Sequence, residues 1–258
     1  MFDIIGKYGI IYKIQFTHRE NTMAIKAVLF DLDGTLLPMD QKAFTMDYLG
    51  RLSKYMVPYG YDARELAKAV WDGTDFMINN DGRKRNDEAF WDIFEGKFDG
   101  RYKNDMEIFD EFYRTDFQNV KSTCGFDPEA AETVRKLKED GFRVILATNP
   151  IFPPLATESR IRWAGLQPED FELYTTYENA HFCKPNPEYY KEILSKCALK
   201  AEECIMVGND VSDDMPAGKL GMKVFLLTRD LINKHDEDIS VYPNGDFDDL
   251  MRYIHDNK

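Results

Sequence analysis

The chain has 258 residues, 43% of them hydrophobic and 31% charged, which is enough for one large domain or about two. Lys and Arg number 33 against 46 Asp and Glu, so the formal net charge of −13 disfavours nucleic acid and anionic membrane surfaces as partners. No apolar stretch approaches the roughly 18 residues of a membrane span, and the four cysteines form no CxxC pair. We therefore expect a globular protein of the cytoplasm, a reducing compartment.

Residues 1–22 lie ahead of a second methionine, Met23, which directly precedes a strand-like run. Our interpretation is an extension that the fold can dispense with. The alternative is an edge hairpin, because apolar residues alternate in this segment as they do in a half-buried strand. The alternating residues are Ile10, Tyr12, Ile14 and Phe16.

Four short apolar runs predict buried β-strands. The first covers residues 24–30 and turns polar at Asp31-Leu-Asp-Gly-Thr35, as a strand does where it enters a loop. The others cover residues 143–147, 203–207 and 223–227. Helical patterns separate these runs, and strands that alternate with helices favour a parallel sheet covered on both faces.

The clearest helix signal lies over residues 128–140. Asp127 is a typical N-cap, Pro128 takes the first helical position and Gly141 follows the end. Residues 187–197 predict a further helix and residues 214–220 a short one. These elements define a predicted α/β core domain of residues 23–37 and 122–258.

Residues 38–121 interrupt the alternation and are predicted to be wholly helical. Asp62, with Glu65 three residues later, resembles a capping box. Apolar residues recur at helical spacing in two stripes, and aromatic residues further on predict two more helices. We interpret these aromatics as the core of a helical insertion rather than a cofactor site. The two stripes are Phe44, Tyr48, Leu49, Leu52, Tyr55 and Met56, then Leu66, Ala69, Val70 and Phe76.

Two aspartates follow the first strand. Asp31 and Asp33 are two positions apart, so both side chains are expected on one side of the carboxyl end of the strand. Ligands bind at this edge in open α/β sheets. Two carboxylates so close share a proton or bind a divalent cation, because their mutual repulsion is costly.

Three later signals fall near the ends of the other elements. Thr148 and Asn149 follow the second predicted strand and offer a hydroxyl and backbone amides to a phosphate. Asp210 follows the third, with Asp214 one helical turn later. Lys184 stands between Cys183 and Pro185 just before a predicted helix. Each of these motifs alone is weak evidence for a functional site. Their combined order along the chain is strong evidence for one.

In these motifs the chain resembles the haloacid dehalogenase superfamily, whose four motifs occur in order as DLDGT, ATN, KP and GNDVSDD. The resemblance covers residues 25–227 and implies a Rossmann-like core, with residues 38–121 as a helical cap domain. It further implies that Asp31 is the nucleophile and Asp33 the general acid and base. Thr148 and Lys184 would hold the phosphate and stabilise its charge.

The resemblance also implies Mg²⁺ as cofactor. Its predicted ligands are Asp31, Asp210 and the carbonyl group of Asp33; Asp214 would bind the metal directly or through water, or else orient the lysine. Mg²⁺ prefers such oxygen ligands. The predicted phosphate-binding set is Gly34, Thr35, Thr148, Asn149 and Lys184.

These roles predict a magnesium-dependent phosphatase that acts on a small phosphorylated metabolite through an aspartyl-phosphate, working as a monomer or homodimer. An acid at position 33 favours phosphate esters, because dehalogenases of this family need no proton for an ester oxygen. A phosphomutase of the same family is the nearest alternative, and a module that senses a phosphorylated metabolite without turnover is a more distant one.

The densest basic cluster of the acidic chain lies in the insertion, at residues 79–85. A substrate carboxylate or second phosphate could bind there. A solvated loop is the favoured interpretation, because runs of charge usually face solvent.

Overall fold

The computed structural model describes residues 4–5, 11–12 and 24–257, with the backbone alone at residues 4–5, 11–12 and 102–104. Strands β1 (Ile4–Ile5) and β2 (Ile11–Tyr12) pair antiparallel in a small sheet of their own. The other residues on which the alternative of an edge hairpin rested, Ile10, Ile14 and Phe16, lie outside the described residues. That the fold can dispense with residues 1–22 stays a prediction.

A five-stranded parallel sheet forms the core and confirms the predicted fold class. Its strands are β3 (Ala27–Phe30), β4 (Arg143–Leu146), β5 (Cys204–Gly208), β6 (Lys223–Leu227) and β7 (Asn244–Gly245), in the order β4-β3-β5-β6-β7. Strand β3 is fully buried and lies between β4 and β5. Its residue Phe30 is opposite Leu146 of β4 on one side and Val207 of β5 on the other. The strand ends that follow these residues therefore meet at one edge.

Helices cover both faces of the sheet because neighbouring residues of a strand point to opposite sides. Val28 and Phe30 pack into the hydrophobic cluster on one face, and Ala27 and Leu29 into the cluster on the other. The first face carries α5 (Pro128–Glu139), α6 (Pro154–Trp163) and α8 (Phe247–Asp256); the second carries α7 (Pro187–Lys196) and a 3₁₀ helix (Met215–Leu220). Within the described residues, no helix is long and apolar enough to cross a membrane.

The segment of residues 38–124, between β3 and α5, is largely helical, as the sequence predicts for residues 38–121. It contains α1 (Gln41–Met56), α2 (Ala63–Ile78), α3 (Asn86–Lys97), α4 (Tyr102–Arg114) and a 3₁₀ helix (Asp116–Thr123). Its two ends lie side by side: Met39 forms an isolated bridge with Cys124, and the Gly125 amide donates to the Pro38 carbonyl at 2.8 Å. The chain thus leaves and re-enters the core at one place, and we call this segment the cap.

The N-cap signals of two helices are confirmed, Glu65 does not complete the predicted capping box, and one core residue is corrected. Asp127 caps α5, and Asp62 caps α2 by accepting from the amides of Arg64 and Glu65. Phe76 is wrongly predicted as a core residue, since it is 49% exposed. The buried stripe of α2 is centred on Leu66, Gly73 and Met77, and Phe76 lies to one side of it.

Two glycines in 16-residue cap helices provide a matched test of this packing. A Cβ at Gly73 of α2 would lie 2.6 Å from the ring of Phe90 on α3, whereas one at Gly50 of α1 would meet nothing within 4 Å. We expect Gly50→Ala to stabilise the protein by about 0.5–1 kcal/mol, the helical preference of Ala over Gly. Gly73→Ala should destabilise it by about 1–2 kcal/mol, because overpacking exceeds that gain.

Urea unfolding followed by circular dichroism measures both changes. Equal stabilisation by the two substitutions would contradict the close packing of α2 on α3.

Candidate active site

The structure brings the predicted catalytic and metal-binding side chains to one edge of the sheet. Asp31 follows β3, and its amide donates to the carbonyl of Val207 on β5 at 2.9 Å. Asp210 follows β5, and Thr148 follows β4. The carbonyl of Thr148 is held by the hydroxyls of Thr175 and Tyr189, which donate at 2.6 and 2.8 Å. Parallel strands that end together thus place three distant segments around one point.

Lys184 lies at the centre of this group. Its ammonium Nζ donates to Asp31 Oδ1 at 2.8 Å and to Asp214 Oδ1 at 2.7 Å, and the Lys184 and Asp214 side chains are each only 1% exposed. Burial acts to lower the pKa of Lys184, but the charges of Asp214 and Asp31 outweigh it and raise that pKa well above its usual value. The two carboxylates therefore favour the charged form of the ammonium beside Asp31.

The loop after β5 is held by its own carboxylates. Asp210 Oδ1 accepts from the amides of Ser212 and Asp213 at 2.8 and 3.1 Å, and the Asp210 amide donates to Asp214 Oδ2 at 3.0 Å. Lys234 Nζ donates to Asp210 Oδ2 at 3.0 Å, a contact that no sequence signal indicated. Both carboxylates are therefore fixed before any ligand arrives.

Asp33 contacts a buried arginine that the sequence analysis missed. Arg160 on α6, with a side chain 1% exposed, pairs with Asp33 Oδ2 and stacks over the Phe152 ring at 4.5 Å. Its Nη2 also donates to Thr157 Oγ1 at 3.3 Å. Asp33 Oδ1 is buried without a hydrogen-bond partner, and burial raises the pKa of Asp33 although Arg160 opposes this. Nothing in the sequence around Arg160 marks it, because the contact arises from the packing of α6 on the sheet.

Two predicted phosphate-binding residues lie beneath the site. Thr35 is fully buried, and its hydroxyl lies 3.0 Å from Asn209 Oδ1 and 3.3 Å from Asp31 Oδ2. Gly34 has a φ of +88°, and a Cβ there would lie 2.3 Å from Asn209 Nδ2. Neither residue lines the cavity described next, whereas Thr148 and Asn149 do. Phosphate binding by Gly34 and Thr35 stays a prediction.

A cavity of about 280 Å³ lies between the sheet edge and the cap. We call its sheet side the floor, formed by Asp31, Asp33, Thr148, Lys184 and Asp210, and its cap side the roof, formed by residues of α1 to α4. One cavity is therefore lined by the residues predicted as nucleophile, as acid and base, as phosphate contact and as metal ligand.

The basic segment 79–85 does not line this cavity. Arg83 pairs with Asp81, Lys84 with Asp92 and Arg85 with Asp87, all with exposed basic side chains. These contacts support the interpretation of a solvated loop.

The floor offers oxygen donors that suit a hard divalent cation. Within residues 24–257, no group of three or more His, Cys, Asp or Glu side chains is placed to hold a metal ion. Mg²⁺ needs only one or two carboxylates beside water and substrate oxygens. The described aspartates at this end of the cavity are Asp31, Asp33, Asp210, Asp213 and Asp214. Three cationic side chains contact members of that set, namely Lys184, Lys234 and Arg160. The formal excess of two negative charges fits one divalent cation.

The chain is similar to known enzymes over most of its length. A family model described as a haloacid dehalogenase-like hydrolase matches residues 25–221. The chain is 28% identical over 229 residues to a phosphoglycolate phosphatase of Vibrio parahaemolyticus, covering 86% of this chain and 91% of that protein. It is 25% identical over 201 residues to the pyrophosphatase PpaX of Bacillus cereus, covering 78% of this chain and 82% of that protein.

Solved structures show the same fold. A haloacid dehalogenase-type phosphatase from Thermococcus onnurineus matches with a TM-score of 0.55 and 20% identity, covering 89% of this chain and 98% of that chain. An L-2-haloacid dehalogenase matches with a TM-score of 0.54 and 18% identity, covering 90% and 100%.

The Arg160 contact predicts a strong energetic coupling to Asp33. Arg160→Met should destabilise the protein by about 3–5 kcal/mol, because it leaves the Asp33 carboxylate partly buried without its cation. Adding Asp33→Asn to that variant removes the stranded charge, so the double variant should be less destabilised than the sum of the two single variants by about 1–3 kcal/mol. Chemical unfolding of the four proteins measures this difference. Additive effects would show that the two side chains do not interact.

Proposed function

The chain belongs to the haloacid dehalogenase-like hydrolases, and from this membership we propose that it is a magnesium-dependent phosphatase acting on a small phosphorylated metabolite. The observation that carries the proposal is the Lys184 ammonium, bonded at once to Asp31 and Asp214 on the cavity floor. Such a cation lies where negative charge on a transferring phosphoryl group needs stabilisation. The phosphatase names of the two sequence relatives agree with this chemistry.

In the proposed reaction Asp31 is the nucleophile. One of its carboxylate oxygens attacks phosphorus and the bond to the ester oxygen breaks, giving an aspartyl-phosphate and an alcohol. Water then attacks the same phosphorus, the bond to Asp31 breaks, and inorganic phosphate leaves. Two displacements replace one difficult hydrolysis, and Asp31 returns to its starting state.

Asp33 is the proposed acid and base. It protonates the departing ester oxygen and later takes a proton from the attacking water, help that is typically worth 10²–10⁴-fold in rate. Its place on the cavity wall and its raised pKa, caused mainly by burial, suit a carboxyl group that must carry a proton in one step. The Arg160 contact fixes one of its oxygens and leaves the other without a partner.

The remaining floor residues bind and orient. Thr148 and Asn149 would donate to the phosphate oxygens, and Asp214 would orient Lys184. Asp31, Asp210 and the carbonyl group of Asp33 would hold Mg²⁺, which when bound supplies positive charge against the phosphate oxygens. All four cysteines are free thiols, which supports the proposed cytoplasmic location.

Removal of the nucleophile tests the mechanism. Asp31→Asn keeps the shape of the side chain but not its charge, and we expect the release of phosphate from an aryl phosphate to fall by about 10³-fold or more. Asp248→Asn, an exposed carboxylate on α8, is the matched control and should retain activity. Wild-type turnover by a folded Asp31→Asn protein would refute the assignment. Isomerisation of a sugar phosphate without phosphate release would instead identify a phosphomutase.

Metal removal tests the cofactor separately. The excess of negative charge on the floor should leave the protein dependent on a divalent cation, so EDTA followed by dialysis should reduce phosphate release to background. Added Mg²⁺ should restore it, and EDTA presaturated with Mg²⁺ is the control. Full activity in the dialysed, metal-free protein would contradict the proposed cofactor.

A further inference from the structure

The roof of the cavity differs chemically from its floor. The roof consists mostly of large apolar and aromatic side chains, which all four cap helices contribute. Representative members are Phe44, Leu52, Val70, Phe90, Phe109 and Tyr113, all less than a tenth exposed. Because the floor engages the phosphate, the rest of the substrate must contact this apolar surface.

The hydroxyl groups of the roof are already bonded within the protein. Tyr48 and Tyr113 pair through their hydroxyls at 2.9 Å. Thr45 and Thr74 each donate to a backbone carbonyl of their own helix at 2.8 Å. Apart from the exposed side-chain amide of Gln41, the roof therefore offers few free donors to the hydroxyl groups of a sugar, whose burial without hydrogen bonds is unfavourable.

Charge in the upper cavity is negative. Lys184 on the floor is the only cation among the described side chains that line the cavity. Asp110 on α4 and Glu178 on the core loop before α7 are the carboxylates of the upper part. Asp110 has one ion pair, with Arg114 at 3.5 Å, and Glu178 has none among the described residues. Burial raises the pKa of both; the charges of Asp87 and Asp110 raise that of Glu178 further, and the charge of Arg85 opposes this rise.

The basic segment 79–85 does not line the cavity, and the charge of Arg85 opposes only part of the rise in the pKa of Glu178. Arg83, Lys84 and Arg85 bond to neighbouring aspartates in solvent, outside the cavity. A second anionic group on a substrate would therefore be desolvated next to Asp110 and Glu178 with no described cation to receive it.

We propose that the substrate is a phosphate monoester whose leaving group is apolar, aromatic or branched alkyl, with no second anionic group. This inference rests on the proposed phosphatase function and narrows its substrate class. It separates this chain from the relatives named for phosphoglycolate and pyrophosphate, since both of those compounds carry a further acidic group beside the phosphoryl group that is removed.

The test compares two phosphate esters that share the benzyl group and differ in charge. Benzyl phosphate and 4-carboxybenzyl phosphate differ by one carboxylate, and glucose 6-phosphate and 2-phosphoglycolate extend the series. We expect kcat/KM for benzyl phosphate to exceed the other three by about tenfold or more, the scale of leaving a polar or charged group buried without a partner. An equal or higher kcat/KM for 4-carboxybenzyl phosphate or 2-phosphoglycolate would overturn the inference.

Variants assign the effect to the upper cavity. The double variant Asp110→Asn/Glu178→Gln should reduce the ratio of benzyl to 4-carboxybenzyl turnover several-fold, whereas Glu107→Gln, 83% exposed on the same helix, should leave that ratio unchanged. Lys103→Ala addresses a cation whose side chain lies outside the described residues. Selective loss of 4-carboxybenzyl turnover in that variant would reveal an anion receptor and defeat the inference.

Failure of the inference and failure of the proposed function give different results. If none of the four esters releases phosphate, and Asp31→Asn behaves like the wild type, the phosphatase assignment fails. If Asp31-dependent release occurs but favours the anionic esters, the function stands and the substrate class is wrong.

Discussion

The buried ammonium group of Lys184 determines how the site is built. An ammonium removed from water costs several kcal/mol unless carboxylates surround it, and removing one partner of such a group costs about 3–5 kcal/mol. Its two partners, Asp31 and Asp214, belong to segments more than 150 residues apart, yet the bonds measure 2.8 and 2.7 Å. Burial of one lysine therefore ties the end of β3, the loop after β5 and the segment before α7 together.

Much of this arrangement could be predicted from the sequence because parallel strands end at a common edge. Once β3, β4 and β5 are recognised as neighbours, Asp31, Thr148 and Asp210 must lie close together. Arg160 could not be predicted in this way, since its contact with Asp33 depends on how α6 packs and not on any local pattern. Periodicity likewise located the stripe of α2 but not its edge, where Phe76 faces solvent.

The aromatic residues of the cap serve packing and the cavity wall at once. Tyr48 packs against Phe117 at a ring distance of 6.0 Å and against Phe152 of the core at 5.3 Å, and it also lines the roof. The cap and the first face of the sheet share one hydrophobic cluster. Because the same side chains stabilise the cap and shape the roof, a change in substrate preference through these residues also changes stability, and apolar replacements of similar volume are the tolerated ones.

Charge explains how an acidic protein binds an anionic substrate. The chain carries a formal net charge of −13, and its average field repels a phosphate dianion. The five aspartates around the floor add to that repulsion, which Lys184, Lys234 and Arg160 only partly offset. In the proposed function a divalent cation balances the remaining excess of two negative charges, so that the phosphate meets cationic groups at the floor without net repulsion. In the proposed substrate class, the carboxylates Asp110 and Glu178 of the upper cavity select against any second anion, so that one cavity both accepts the phosphate and restricts what is attached to it.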